Sequence, residues 1–321
     1  MPATRVSFLW LLAGIAFSAS ADDPEYPPLS VKLEPIRVSA HCWYVQGQAG
    51  VASKANEGYN SNAGFVDTPD GVVVIDSLGT PALGRALLAA VAETTHHPVR
   101  RLILTHEHAD HMYGAQAFKE AGVEVWVHEA ARDYAGSAEA RERDVQRLRD
   151  LAPWVNSTTR RVRVDHWVGD EEGFELGGLH FELTHLGPAH SPEDMITFVR
   201  EDGVLYSGDI LYSGRIPFVG SADTRRWLAT IDRLMALAPR VMVVGHGAAS
   251  TAPGRDLGLT RDYLRFLREQ MGRAVTEFTD FDVAYARTDW NRWKNWPAFD
   301  AANRTNAYNV YLQMEQESLA H

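Results

Sequence analysis

The run Thr105-His106-Glu107-His108-Ala109-Asp110-His111 follows directly on the strand-like stretch Arg101-Leu102-Ile103-Leu104. Three imidazoles and a carboxylate therefore crowd the end of a predicted strand. Side chains alternate in an extended segment, so His106 and His108 share a face, and a turn into a helix swings Asp110 and His111 alongside them. A chain with this run must leave that strand end open to a metal. Its nitrogen and oxygen ligands suit one ion or two.

Three later segments repeat the arrangement. Gly187-Pro188-Ala189-His190, Ser207-Gly208-Asp209 and Gly245-His246-Gly247 each follow an apolar run that reads as a strand: Leu179 to Thr184, Val204 to Tyr206 and Val241 to Val244. Alone, His190 and His246 read as turn or core histidines and Asp209 as a turn aspartate. Their order and framing make them ligand candidates, because ligands at strand ends converge on one edge of a sheet stack. His41, His96, His97, His128, His166, His180, His185 and His321 take a structural reading, with His128 and His185 expected near the site.

The spacing His-x-His-x-Asp-His, together with those three segments, resembles the signature of the metallo-β-lactamase superfamily over roughly residues 40 to 250. The resemblance implies an α+β fold, an αββα sandwich of two similar βα halves. It implies two Zn²⁺ per chain, one held by His106, His108 and His190, the other by Asp110, His111 and His246, with Asp209 bridging them. Asp76, at the end of Val72-Val73-Val74-Ile75, would support the ligand loop from behind. Asp194 and Arg215 are candidates for support or for lining the substrate site. Gly47, Gly50, Gly58 and Tyr59 would form a flexible flap over the metals, with Asn62 in a turn beside it.

Composition excludes other classes. Acidic residues outnumber basic ones 42 to 31, giving a formal charge of −11. With no Lys/Arg run longer than two, no nucleic-acid surface is expected. The single cysteine, Cys42, cannot close an intramolecular disulfide and reads as a buried small hydrophobe in an early strand.

Arg5, the apolar stretch Val6 to Phe17 and the Ala19-Ser20-Ala21 cleavage pattern read as a signal peptide over residues 1–21. A periplasmic or secreted protein with no membrane span after its removal is the expectation. A Pro-rich lead-in over 22–39, a hydrolase domain over 40–254 and a helical extension over 255–321 would follow. Helices are expected at Pro81 to Thr94, Tyr113 to Glu120, Glu129 to Arg149, Thr224 to Ala236, Arg255 to Arg273 and Asp300 to Glu317. Trp290, Trp293 and Trp296 read as anchors for the last helices.

Arg215-Ile216-Pro217-Phe218-Val219-Gly220, Arg225-Arg226-Trp227-Leu228 and Asn303-Arg304-Thr305-Asn306-Ala307-Tyr308 resemble the quinoprotein relay system zinc metallohydrolases, also described as SoxH-like. That branch implies association with a periplasmic quinoprotein dehydrogenase and a small-molecule substrate. Glu193 departs from it, standing where many relatives carry Gly. Two adjacent zinc ions generate a hydroxide near neutral pH, so hydrolysis of an ester, thioester, amide or phosphoester is expected, with Asp110 directing the hydroxide. No G-x-S-x-G elbow offers a serine nucleophile. Iron remains open as the metal, through a mononuclear sulfur-oxidising dioxygenase, and so does a non-catalytic accessory of a quinoprotein. Any β-lactamase activity should be weak, because Asp209 replaces the Cys ligand common in those enzymes and Ile210-Leu211-Tyr212 offers no following Lys.

Overall fold

A computed structural model describes residues 26–319. The expected signal peptide lies outside the described residues. The first sheet holds seven strands in sequential order: β1 (Pro35–Arg37), β2 (Cys42–Val45), β3 (Ala63–Thr68), β4 (Gly71–Ile75), β5 (Val99–Ile103), β6 (Glu124–His128) and β7 (His166–Val168). Strands β4 to β7 run parallel. The second sheet contains β8 (Glu171–Leu176), β9 (Leu179–His185), β10 (Met195–Val199), β11 (Val204–Tyr206) and β12 (Val241–Val243), in the order β12-β11-β10-β9-β8.

Period-two alternation explains the layering. In β4, Val72 and Val74 join the outer core under the helices, while Val73 and Ile75 face the second sheet. In β10, β11 and β12 the inward set is Met195, Val199, Val204, Tyr206, Val241 and Val243. Ile196, Leu205 and Met242 point the other way, into the core beneath the later helices. Both faces of both sheets are thus apolar, which requires a helical layer on each side. The expected αββα sandwich is the result.

The outer layer of the first sheet is α1 (Pro81–Thr95), α2 (Ala109–Met112), α3 (Ala115–Glu120) and α4 (Ala138–Leu151). Thr80 caps α1 through Oγ1, which accepts from Leu83 N at 3.1 Å, and Pro81 fills the first turn. The helix expected from Tyr113 to Glu120 begins only at Ala115, after Gly114, where a Cβ would lie 1.8 Å from Ser77 O, and the short α2 before it is not among the expected helices. Glu129–Gly136 is a 3₁₀ turn, and α4 begins only where Ser137 Oγ accepts from Ala140 N at 3.0 Å. One long helix from Glu129 is therefore corrected to two elements.

The second sheet is covered by α5 (Thr224–Ala236), α6 (Pro253–Asp256), α7 (Gly258–Thr276), α8 (Phe281–Arg287) and α9 (Phe299–Leu319). The helix expected from Arg255 is interrupted at Leu257, which leaves the helical region to bury its side chain. Trp293 is fully buried against Tyr263, their ring centroids 5.2 Å apart, in the same core as Trp227 and Leu205. The tryptophan-rich segment thus anchors the last helices on the sandwich. No helix among the described residues is long and apolar enough to cross a membrane.

Candidate metal centre

Every ligand candidate sits just beyond a strand, on one edge of the paired sheets. The loop from β5 into α2 carries His106, His108, Asp110 and His111. The loops after β9, β11 and β12 carry His190, Asp209 and His246. The structure brings all seven together. Ligand atoms of His106, His108 and His190 lie within 4.8 Å of one another, and so do those of Asp110, His111 and His246. Asp209 stands between the two groups. Its Oδ1 is 3.2 Å from His111 Nε2, and its Oδ2 is 3.3 Å from His246 Nε2 and 3.5 Å from His190 Nε2.

The hydrogen bonds behind the imidazoles fix where their lone pairs point. His111 Nδ1 donates to Asp76 Oδ2 at 2.8 Å, His190 Nδ1 to Phe218 O at 3.0 Å, and His246 Nδ1 to Asn60 O at 2.6 Å. These acceptors cannot donate, so in each neutral ring the proton sits on Nδ1 and the Nε2 lone pair faces the site. His106 Nδ1 meets Thr105 Oγ1 at 3.0 Å, and that hydroxyl donates to Asp76 in turn. His108 turns its Nδ1 inward, 2.8 Å from His190 Nε2. Buried His106 Nε2, His111 Nε2 and Asp209 Oδ1 have no hydrogen-bond partner. Convergent, unpartnered donor atoms of this kind fit a pair of divalent cations.

Electrostatics agree. Burial holds His106 well below the ordinary histidine range and His108 and His190 down at about 3, leaving them neutral and available as ligands. Burial would raise Asp110 and Asp209, but the neighbouring histidines outweigh it and keep both ionised. His111 is the exception: burial would lower it, but Asp209 and Asp76 overcome that and lift it well above its usual value, so it keeps a proton that binding a cation would displace.

The supporting residues divide. Asp76 adopts φ 61°, a left-handed conformation that Asp tolerates better than most, and its carboxylate binds Thr105 N at 2.8 Å as well as His111. Asp194 is buried away from the cavity, accepting from Ser191 N at 2.8 Å and Ser191 Oγ at 2.7 Å, so it braces the His190 loop. Arg215 lines the cavity. Its Nη1 donates to Gly50 O at 2.6 Å, while its buried Nε has no partner.

Several expectations are corrected. Asn62 is no turn residue: its Nδ2 donates to Val244 O and Gly247 O, both at 2.7 Å, and its Oδ1 accepts from Gly47 N. It ties the 47–61 segment to the His246 loop. Tyr59 belongs to the core rather than to a flap, whereas Val51 and Ala52 line the cavity. His128 and His185 stack at 3.9 Å beside Asp170 as a group of their own. Gly245 earns its place by proximity, since a Cβ there would lie 2.0 Å from Asp209 Oδ1.

Other site residues carry no sequence pattern. Asn60 Nδ2 donates to Asp110 Oδ2 at 2.9 Å, and Tyr212 OH donates to Asp209 Oδ2 at 2.5 Å. Glu193, the departure from the resembled branch, is buried and accepts from Glu107 N at 3.1 Å. The centre opens into a cavity of about 490 Å³ walled by α4, the 211–221 loop and α9.

Two layers of sheet with a polydentate His/Asp edge beneath a cavity make a candidate metal centre. The metallo-beta-lactamase superfamily model matches residues 56–246, more than half of the chain, and the chain belongs to that superfamily. The linear primary-alkylsulfatase of a Pseudomonas species is 22% identical over 246 residues, covering 65% of this chain and 46% of that protein. Hydroxyacylglutathione hydrolase GloC of Haemophilus influenzae is 29% identical over 157 residues, 47% of this chain and 69% of that one. Among solved structures, the stereoselective inverting sec-alkylsulfatase Pisa1 from Pseudomonas sp. has a TM-score of 0.66 at 17% identity, covering 88% of this chain and 50% of that chain. A metallo-beta-lactamase from Pontibacter korlensis has a TM-score of 0.55 at 20% identity, covering 73% and 96%. The chain spans less than half the length of the primary alkylsulfatase it matches.

One pH effect follows from Asp194. Burial pushes its carboxyl up to about 8, against the opposing bonds from Ser191. The native state thus keeps a proton that the unfolded chain, with Asp near ~3.9, releases. The stability this group contributes is fully present below about pH 4 and is lost as pH rises through about 8, with a slope of up to ~1.4 kcal/mol per pH unit. Asp194→Asn should flatten that part of the curve. Urea midpoints of metal-free protein at pH 5 and pH 8 test it; an unchanged difference between wild type and variant would show that Asp194 is ionised.

Proposed function

We propose that this chain is an exported dinuclear zinc hydrolase. The observation that carries the reading is the pair of complete three-ligand groups with Asp209 between them, opening onto one cavity. Two bound zinc ions would supply a hydroxide at neutral pH and a Lewis-acidic surface for the scissile group. His106, His108 and His190 would hold one ion, and Asp110, His111 and His246 the other. Asp76, Thr105 and the Phe218 and Asn60 carbonyls keep the imidazoles in the ligating tautomer. Asp110, oriented by Asn60, is placed to take the proton of the attacking water.

The bond cleaved is an ester, thioester, amide or phosphoester. The alkylsulfatase and hydroxyacylglutathione hydrolase relatives support adding sulfate esters and favouring thioesters. The full second ligand group favours hydrolysis over mononuclear iron oxygenation, and over a non-catalytic accessory of a quinoprotein. Metal analysis followed by a panel of these bond types on the same zinc-loaded sample tests the reading; a two-zinc sample that cleaves none of them would overturn it.

Export rests on Arg5, the Val6 to Phe17 core and the Ala19-Ser20-Ala21 site. Association with a periplasmic quinoprotein dehydrogenase rests on the resemblance of the 215–228 and 303–308 segments. Mass spectrometry of the exported protein should find a new N-terminus at Asp22. Intact Met1 in a membrane fraction would convert the signal into an anchor.

A further inference from the structure

The wall of the cavity made by α4 differs from the others. This helix buries fully only Ala140 and Leu151, so its inner face turns to the cavity rather than to the core. On that face Glu139, Arg143, Arg147 and Asp150 recur at helical spacing. Asp150 is taken by Arg149 at 2.8 Å, and Glu139 stands one turn out from Arg143. Arg143 has no carboxylate partner among the described residues; its Nη1 reaches only Gln146 Oε1, at 3.4 Å. Arg147, 14% exposed, stands 3.9 Å from Asp110 Oδ1, and its buried Nε has no hydrogen-bond partner. Arg215 faces them from the opposite wall, also with an unpartnered Nε. A buried guanidinium nitrogen with no hydrogen-bond partner is costly unless a ligand completes it.

The rest of the cavity is mixed: Asn60, Tyr134, Gln146 and Thr305 line it beside an apolar strip of Val51, Ala52, Phe218 and Val219. The protein as a whole is acidic, with a formal charge of −11, and its cavity also holds Asp110, Glu139, Asp150, Glu193 and Asp209, so Arg143, Arg147 and Arg215 supply the positive charge an entering anion would meet. Metal loading would occupy Asp110 and weaken its hold on Arg147, which makes the guanidinium more available.

We propose that Arg143 and Arg147 form the recognition end of the substrate site, and that the substrate is an amphiphilic organic anion whose oxyanion they receive while its apolar body lies against Val51 and Phe218. This rests on the hydrolase reading for the site, but its test separates the two. Arg143 acts as a specificity residue, while Arg147, 3.9 Å from Asp110 Oδ1, stands between the recognition end and the metal centre, which is why metal content is read in every variant.

The probe is octanesulfonate, which resists hydrolysis, titrated calorimetrically into zinc-loaded wild type, R143Q, R143Q/R147Q and R141Q. Arg141 is exposed on α4 and serves as the charge control. Loss of two charge-assisted contacts should weaken binding by about tenfold or more in the double variant, and R141Q should match wild type. R143Q alone keeps a helix-compatible residue at a position with no structural partner, so its own weaker binding guards against misfolding of the double variant. Equal binding in wild type and R143Q/R147Q, with two zinc ions still present, overturns the proposal. Arg-dependent sulfonate binding by a two-zinc protein that hydrolyses none of the bond types sinks the hydrolase reading and leaves this one standing. Hydrolysis of neutral esters with no sulfonate binding in any variant does the reverse.

Discussion

Chelation of the purified protein is expected to abolish hydrolysis, and about two equivalents of Zn²⁺ per chain to restore it. The expectation follows from the atoms that metal removal strands. His106 Nε2 is buried without a hydrogen-bond partner, and His111 Nε2 and Asp209 Oδ1, also buried, have only each other at 3.2 Å. His108 Nδ1 and His190 Nε2 face each other at 2.8 Å. An ion would satisfy the buried atoms and replace the His108–His190 hydrogen bond with two ligand bonds, so metal should also raise the thermal midpoint by linkage. His106→Ala deletes a ligand and should lower kcat/KM by ~10³-fold or more, the scale of several kcal/mol of lost charge stabilisation. Asp209→Ala is the sharper variant, because Asp209 lies within reach of His111, His190 and His246 at once. It should lower occupancy on both sides. Elemental analysis showing both ions retained in Asp209→Ala would end its bridging role, and one ion per well-loaded wild-type chain would end the dinuclear assignment.

The legible part of this molecule is the part written as local runs. Strands β4 and β5 announce themselves by apolar residues, and the ligands after β5 are contiguous in sequence. His190, Asp209 and His246 share one signal, a polar residue in a Gly-containing turn that closes an apolar strand, and Asp76 closes β4 in the same way without the Gly. Asn60, Arg147 and Tyr212 were not legible, because each is a single polar residue whose meaning depends on which carboxylate the fold brings to it. Asn60 reaches Asp110 across 50 positions, and Arg147 approaches it from another helix. Helix limits failed where tertiary contacts override propensity. Gly114 stands between α2 and α3 where a Cβ would lie 1.8 Å from Ser77 O, and Leu257 breaks the α6–α7 run with its side chain buried. Asn62 failed likewise: its type suggests a turn, but its amide spends all three bonds joining two loops.

Asp110→Asn should lower kcat by ~10²- to 10⁴-fold, the contribution usual for a positioned general base, while KM changes by less than about threefold. The substitution is nearly isosteric and leaves an amide oxygen to accept from Asn60 Nδ2, so the turn into α2 is kept. What it removes is the charge and the proton acceptor. In the native protein His111, Arg147 and His246 together hold the Asp110 carboxyl well below its ordinary value, although burial opposes them. That carboxylate therefore stays ionised at any working pH. With Oδ2 held by Asn60 and the group turned toward His111 and His246, the carboxylate would help hold a cation and accept the proton of a water beside it. The variant should keep the ion held by His106, His108 and His190, whose ligands it does not touch, and weaken the ion held with His111 and His246. Metal content measured beside kcat separates the two effects. Retention of both ions with a kcat within tenfold of wild type would remove Asp110 from the chemistry and leave it a ligand alone; retention of both ions with the full loss of kcat would place the proton on this carboxylate.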